Sequence, residues 1–215
     1  MKIIPTNTSD NILYPKRIAY CEMSKIYPIW KLYFEGKLTS KYIGFFHSRR
    51  IFDFKNFIPN LDEIFSRYDV MVKERVEFEM DMYTHFKVNH IVHFLDECVD
   101  IIKEKFPEYF PYVKPFFKRN WANFCNIFIM RKNDFIKWGE FVFGVLLELD
   151  KRYNLKSDED VRNLIKKEIE ESKRKELELN YQSRMQGFLS ERLSDIFYNK
   201  FFKVNRRYET VPIEI

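Results

Sequence analysis

The run Phe124-Cys125-Asn126-Ile127-Phe128-Ile129-Met130, and the helical stretch that follows it from Asn133 to Tyr153, decide the fold class. A short, weakly alternating segment rich in Phe and Ile reads as a central strand, and the longer periodic segment reads as a helix packed beside it. Working outward, Tyr42 to His47 and Tyr68 to Val72 are two further short apolar runs with the look of buried strands, separated by a helix-like Leu61 to Arg67. Phe201 to Val204 reads as a terminal strand. From Arg17 to Glu35 the positions Ile18, Cys21, Met23, Ile26, Trp30 and Phe34 favour one helix face, with a kink or break expected near Tyr27 because Pro28 lies inside and Gly36 closing the end. Tyr83, Phe86, His90, Phe94, Val99 and Ile102 predict one long amphipathic helix from Met80 to Lys105. Gly187 to Tyr198 predicts another helix. Strands alternating with helices mean an α/β layer structure in a single domain, residues 1–215. Within it, residues 156–180 form a highly charged helical segment, with Ser157 as its N-cap and Val161, Leu164, Ile165, Ile169 and Leu177 as a thin apolar stripe.

Composition narrows the function classes. The 215 residues are 46% hydrophobic and 18% aromatic, enough to build one sizeable core. Only five glycines occur, where average usage would give about fifteen. No Walker loop or dinucleotide fingerprint can be written from Gly36, Gly44, Gly139, Gly144 and Gly187, so a bound nucleotide must be held in some other way. The formal charge of +5 comes from 37 basic and 32 acidic residues that alternate along the chain, which gives no footprint for nucleic acid. Cys21, Cys98 and Cys125 lie far apart without a C-x-x-C pair, as expected in a reducing compartment. Neither a signal-peptide core nor an apolar stretch long enough for a membrane span is present, so the chain reads as soluble and cytoplasmic.

Three clusters could carry chemistry. His47-Ser48-Arg49-Arg50 follows a strand end, where ligands of open α/β sheets bind, and the planar fork of Arg suits a pyrophosphate. The plainer alternative is a surface loop with two salt-bridged arginines. In Arg184-Met185-Gln186-Gly187-Phe188-Leu189-Ser190-Glu191-Arg192-Leu193, Gly187 can admit close backbone approach to a ligand, and Ser190 and Glu191 can begin a helix that holds an anion or an acceptor hydroxyl. Glu191 could act as a general base if burial raises its pKa, and the plainer reading is an ordinary stabilising acid. His85, His90 and His93 share a predicted helix, and His90 and His93 have a permissible ligand spacing, but there is no H-E-x-x-H, and histidines satisfied by neighbours are the commoner outcome. Asp158-Glu159-Asp160 has the D-x-D spacing that could hold a divalent metal but reads as a helix start, and Glu79-Met80-Asp81 is a looser acid pair that stays a minor metal candidate. No residue is assigned as a metal ligand.

Four ordered strings, Tyr20-Cys21-Glu22-Met23-Ser24-Lys25-Ile26-Tyr27-Pro28-Ile29-Trp30-Lys31, Tyr42 to Arg50, Asn126 to Met130 and Gly187 to Leu193, resemble a glycosyltransferase-like family of bacterial capsular and exopolysaccharide clusters, domain of unknown function 4422. The resemblance covers nearly the whole chain. It implies a GT-A-type, Rossmann-like mixed sheet flanked by helices, a nucleotide-sugar donor, and transfer of a sugar to a hydroxyl of a glycan or lipid-linked acceptor, with manganese or magnesium left open. The family pattern falls on Asp10, Asn11, Tyr20, Cys21, Glu22, His47, Arg49, Arg50, His90, Asn126 and Glu191. Arg49 and Arg50, with Asp10 and Asn11, are then expected at the donor phosphates, Glu191 and His47 at the chemistry, and Tyr20, Glu22, His90, Asn126, Gly187 and Ser190 nearby. Only about nine residues precede Asp10 where relatives carry an extra strand, which implies an incomplete base pocket. Ser48 and Ile51 replace the family's tyrosines, and the charged segment 157–179 looks inserted. The alternative is a catalytically inactive relative that binds or assembles with a protein partner through 157–179.

Overall fold

The computed structural model describes residues 11–47, 50–54, 60–203, 205–208 and 210–212, the last two segments as backbone only. In chain order the elements are α1 (Arg17–Tyr20), α2 (Met23–Phe34), β1 (Tyr42–Phe45), β2 (Arg50–Phe52), α3 (Leu61–Arg67), β3 (Val70–Lys73), β4 (Val76–Glu77), α4 (Met82–Asn89), α5 (His93–Lys105), α6 (Val113–Lys118), β5 (Trp121–Ala122), β6 (Phe128–Arg131), α7 (Lys132–Arg152), α8 (Asp158–Ser172), α9 (Leu179–Gln182), α10 (Met185–Phe201), β7 (Asn205–Tyr208) and β8 (Thr210–Pro212).

The main sheet has the order β1-β6-β3-β7. β6 runs antiparallel to β1, with Phe128 opposite Phe45, and antiparallel to β3, with Phe128 opposite Val72. β7 runs parallel to β3. The expected mixed α/β arrangement is therefore present, with a single parallel pair in that sheet and two small antiparallel pairs, β2–β8 and β4–β5, beside it. These directions bring the carboxyl ends of β1, β3 and β7 and the start of β6 to one end of the sheet. The aromatic abundance fills the core: Trp138 is fully buried 5.0 Å from Phe128, and Tyr109 stacks on Phe141 at 3.8 Å.

The strand expected over Phe124–Met130 begins only at Phe128, because Cys125 (φ 77°) and Asn126 (φ 46°) take the left-handed conformation and turn the chain before the sheet. The terminal strand lies later than Phe201–Val204. Phe201 packs on Phe197 at 4.6 Å and carries α10 on to that residue.

Two expected helices are broken. The first breaks at Cys21 (φ 52°), not near Tyr27, and Pro28 sits inside α2. A proline leaves the carbonyl four residues earlier without its helical donor; here that carbonyl belongs to Ser24, and it accepts a hydrogen bond from Asn11 Nδ2 at 2.8 Å. Asp158 caps α1 from α8, accepting from the backbone of Ile18 and Ala19 at 3.0 Å each. The long helix from Met80 to Lys105 divides into α4 and α5. The carbonyls of Lys87, Val88 and His90 accept from the Arg174 guanidinium at 2.8, 2.6 and 2.8 Å, and that of Asn89 accepts from Gln182 Nε2 at 2.9 Å. With those carbonyls spent on side chains, the helical ladder cannot run through.

The charged segment begins at Ser157 as expected, with a capping box to Asp160, but its helix stops at Ser172, short of Leu179. Val161 and Ile165 are buried in the chain's own core, which uses the centre of the apolar stripe internally.

Candidate active site

At the end of the sheet where β1 stops and β6 starts lies a cavity of about 630 Å³, lined by Glu22, His47, Arg50, His85, Asn89, His90, Phe124, Cys125, Tyr181, Arg184, Phe188, Glu191 and Arg192. A second, of about 860 Å³, shares Glu22, His47 and Arg184 with it and is otherwise walled by α1, α2 and Cys21 between them, the end of β1, Tyr14 and Asn126. Both volumes fall in the range of small-molecule sites. His47 arrives directly after β1, and Arg50 is turned back beside it by its own N–H, which donates to the His47 carbonyl at 3.1 Å.

The fold thus gathers five of the expected residues, Glu22, His47, Arg50, His90 and Glu191, on one cavity, with Asn126 on the second. Asp10 and Arg49 lie outside the described residues. Several others stand elsewhere. Asn11 is buried, its amide committed to Ser24 and its Oδ1 to the Leu13 N–H, so it lines neither cavity. Tyr20 donates to Asp150 at 2.7 Å in a buried cluster with Lys16 and Gln186. Burial raises the Tyr20 phenol well above its ordinary pKa, with Asp150 adding to it. Gly187 does not open the backbone to a ligand. It lies within α10 and lets that helix press on α1, since a Cβ there would sit 2.7 Å from Cys21 Sγ. Ser190 is buried and donates to the Gly187 carbonyl at 2.7 Å. It does not begin a helix, because α10 starts at Met185.

Glu191 is oriented by two partners: Oε1 accepts from the Cys125 backbone at 2.8 Å and Oε2 from Arg192 Nη1 at 2.8 Å. Burial raises its pKa, opposed by Arg192 and by the Cys125 N–H. The carboxylate therefore pins the left-handed turn at Cys125 and Asn126 to α10.

Asn126 belongs to a hydrogen-bond chain whose direction can be read. The Trp138 indole can only donate, and it gives Nε1–H to Ser194 Oγ at 3.0 Å. Ser194 donates in turn to Asn126 Oδ1 at 3.1 Å, which leaves Asn126 Nδ2 to donate to Glu22 Oε1 at 2.9 Å and Ser190 Oγ at 3.0 Å. The chain runs from the core to the rim shared by the two cavities.

His90 is buried against Phe188, ring centroids 4.3 Å apart, and Gln182 Oε1 accepts from its Nδ1 at 3.3 Å. The Gln182 amide is fixed by its bond to the Asn89 carbonyl, so the proton of a neutral His90 is assigned to Nδ1. Burial, with Arg192 adding, lowers its pKa to about 3. Burial also lowers His85, whose Nδ1 is buried with no hydrogen-bond partner among the described residues, as is Arg192 Nε. His93 departs to α5 and meets the Tyr153 hydroxyl at 2.6 Å.

The acids with metal-like spacing do not fit a cation at the cavity. Asp81 caps α4, accepting from Thr84 N and Oγ1 at 2.9 Å each, while Asp158 and Asp160 cap α1 and α8. Among the described residues no group of three or more His, Cys, Asp or Glu side chains gathers as a cation site.

Arg184, His85 and Tyr181 join the site although the sequence pattern assigns them no role there. Arg184 stands at the head of the 184–193 cluster and His85 in the histidine trio, but neither spacing says which faces would meet. Arg184 donates Nε to Cys21 Sγ at 3.2 Å, and burial still pushes the Cys21 thiol up to about 11.

The fold is similar to part of a solved glycosyltransferase. An apo structure of WbbM, a bifunctional glycosyltransferase, superposes with a TM-score of 0.73 at 19% identity, over 98% of this chain and 39% of that one. The chain thus spans about 39% of the length of the solved protein it matches. It belongs to the family described as Domain of unknown function (DUF4422), matched over residues 1–166. That match ends before the 187–193 string included in the resemblance, so Arg184 and Glu191 lie beyond it. No curated protein matches. Among the described residues no helix is long and apolar enough to cross a membrane.

Proposed function

We propose that the chain is a glycosyltransferase of the GT-A type that moves a sugar from a nucleotide-sugar donor to a hydroxyl of a glycan or lipid-linked acceptor, in the cytoplasmic synthesis of a cell-surface or capsular polysaccharide. The observation that carries this reading is the convergence of Arg50, Arg184 and His47 with the carboxylates of Glu22 and Glu191 around a cavity at the carboxyl end of β1. Breaking the bond between sugar and phosphate leaves negative charge on the diphosphate, and positioned cationic donors stabilise that charge as it develops. Arg50 and Arg184 supply them here, and Arg49, next to Arg50 in sequence, is proposed for the same role. His47 stands next to Arg50 to orient or protonate a phosphate oxygen. Glu191 holds the turn that presents Asn126.

A thermal-shift series with UDP, GDP, CDP and dTDP and their sugars, with and without manganese or magnesium, tests it. At a hundredfold excess over the dissociation constant, a bound nucleotide adds about 2.7 kcal/mol, about 5–10 °C in Tm for a chain of this size. Arg50→Ala should lower turnover by about 10²-fold or more. The absence of a shift with every nucleotide would refute the reading.

A further inference from the structure

We propose that Glu22 is the catalytic base that takes the acceptor hydroxyl's proton, with Asn126 as its positioning residue. The assignment rests on the glycosyl-transfer reading above. The acceptor hydroxyl must lie against the donor's anomeric carbon, so its base stands where the two substrate sites meet, and Glu22 lines both cavities, at the rim they share. Glu191, the choice on sequence alone, has one oxygen on the Cys125 N–H and the other on Arg192. Glu22 Oε1 accepts from Asn126 Nδ2 at 2.9 Å, and the polarity of that amide is set by the donor-only indole of Trp138 through Ser194. An amide so fixed presents N–H to Glu22 and holds its carboxylate in place at the shared rim.

In the step, the acceptor oxygen bonds to the anomeric carbon while the bond from that carbon to the phosphate oxygen breaks. The electron pair of the broken bond stays on the nucleoside diphosphate, and the hydroxyl proton passes to the Glu22 carboxylate, which becomes the neutral acid. The added negative charge falls beside Arg50 and Arg184. This is a single displacement and inverts the anomeric centre.

The test uses the full chain with a panel of UDP- and GDP-sugars and simple glycosides as acceptors, following diphosphate release, alongside calorimetry with UDP and GDP. Glu22→Gln should bind the nucleoside diphosphate within about twofold of wild type while kcat falls by about 10²- to 10⁴-fold. Asn126→Gly, chosen because residue 126 has φ 46°, should also bind the nucleoside diphosphate within about twofold of wild type while kcat falls by about 10-fold, a split between turnover and affinity that a general loss of structure does not give. Ser194→Ala should lower kcat less. A Glu22→Gln enzyme with wild-type kcat, or an Asn126→Gly enzyme with unchanged kcat, overturns the assignment and leaves glycosyl transfer standing. A wild-type chain that neither binds nor turns over any member of the panel overturns both.

Discussion

Gly187→Ala isolates the contact that holds α10 against α1. The new methyl would lie 2.7 Å from Cys21 Sγ, 3.1 Å from Cys21 Cβ and 3.7 Å from the Ala19 carbonyl. Neither side can yield freely. α1 is capped by Asp158 and tied through Tyr20 to Asp150, and the Cys21 sulfur is held by Arg184 and the Ile18 carbonyl. Overpacking costs about 1–3 kcal/mol, and with both sides held the upper part of that range, about 2–3 kcal/mol, applies, while replacing a mid-helix glycine by alanine returns about 1 kcal/mol. The net expectation is a loss of about 1–2 kcal/mol, or about 3–6 °C in Tm. Urea unfolding of wild type, Gly187→Ala, Cys21→Ala and the double variant measures it as a cycle. Removing the sulfur should restore most of the loss, giving a coupling of about 1 kcal/mol between the two sites. Gly187→Ala at or above wild-type stability, or additive single effects, would refute the close approach. Because Glu22 follows Cys21, the variant should also lower turnover more than nucleotide affinity.

Two further outcomes follow from the walls of the cavity. The unfolded chain takes up a proton on His90 as pH falls through about 6.5, whereas burial keeps the folded His90 neutral down to about 3. The unfolded state therefore binds more protons in that window, and His90 stabilisation present above about pH 6.5 is lost on acidification, by about 2 to 3 kcal/mol between pH 7 and pH 4.5. Against His90→Gln, wild type should lose that much more stability in urea unfolding at the two pH values, and equal losses would contradict the buried neutral imidazole. Arg174→Ala removes three charge-assisted bonds to the end of α4, with an expected cost of about 2 kcal/mol; hydrogen exchange should show the amides of residues 85–92 losing protection before those of α7.

Much of the frame is legible in local pattern. The positions of β1, β3, α3 and α7, the Ser157 cap and the turn at Gly36 depend on period, capping and glycine chemistry that neighbouring residues carry with them. The first helix was harder. Pro28 is a sound signal for a break, but its cost is removed by Asn11, which is remote in sequence, while the break falls at Cys21, where the residue type gives no warning. Asn11 thereby serves the fold, although its motif suggested phosphate. The division of the 80–105 helix was illegible for the same reason: its cause is Arg174, more than eighty residues away.

By itself the sequence determined a mixed α/β domain, the absence of a glycine phosphate loop, and a short set of polar residues among which the site had to lie. Only the tertiary structure decided which of them meet. Glu22 reaches Asn126 across 104 residues and Glu191 reaches the Cys125 backbone across 66, and no local period carries information over such spans. The structure also changed the meaning of Gly187. A Cβ there would meet Cys21 Sγ at 2.7 Å, so the glycine makes room for protein packing and not for a ligand. Periodicity and capping are properties of a segment, whereas a site is a property of surfaces that burial forces together.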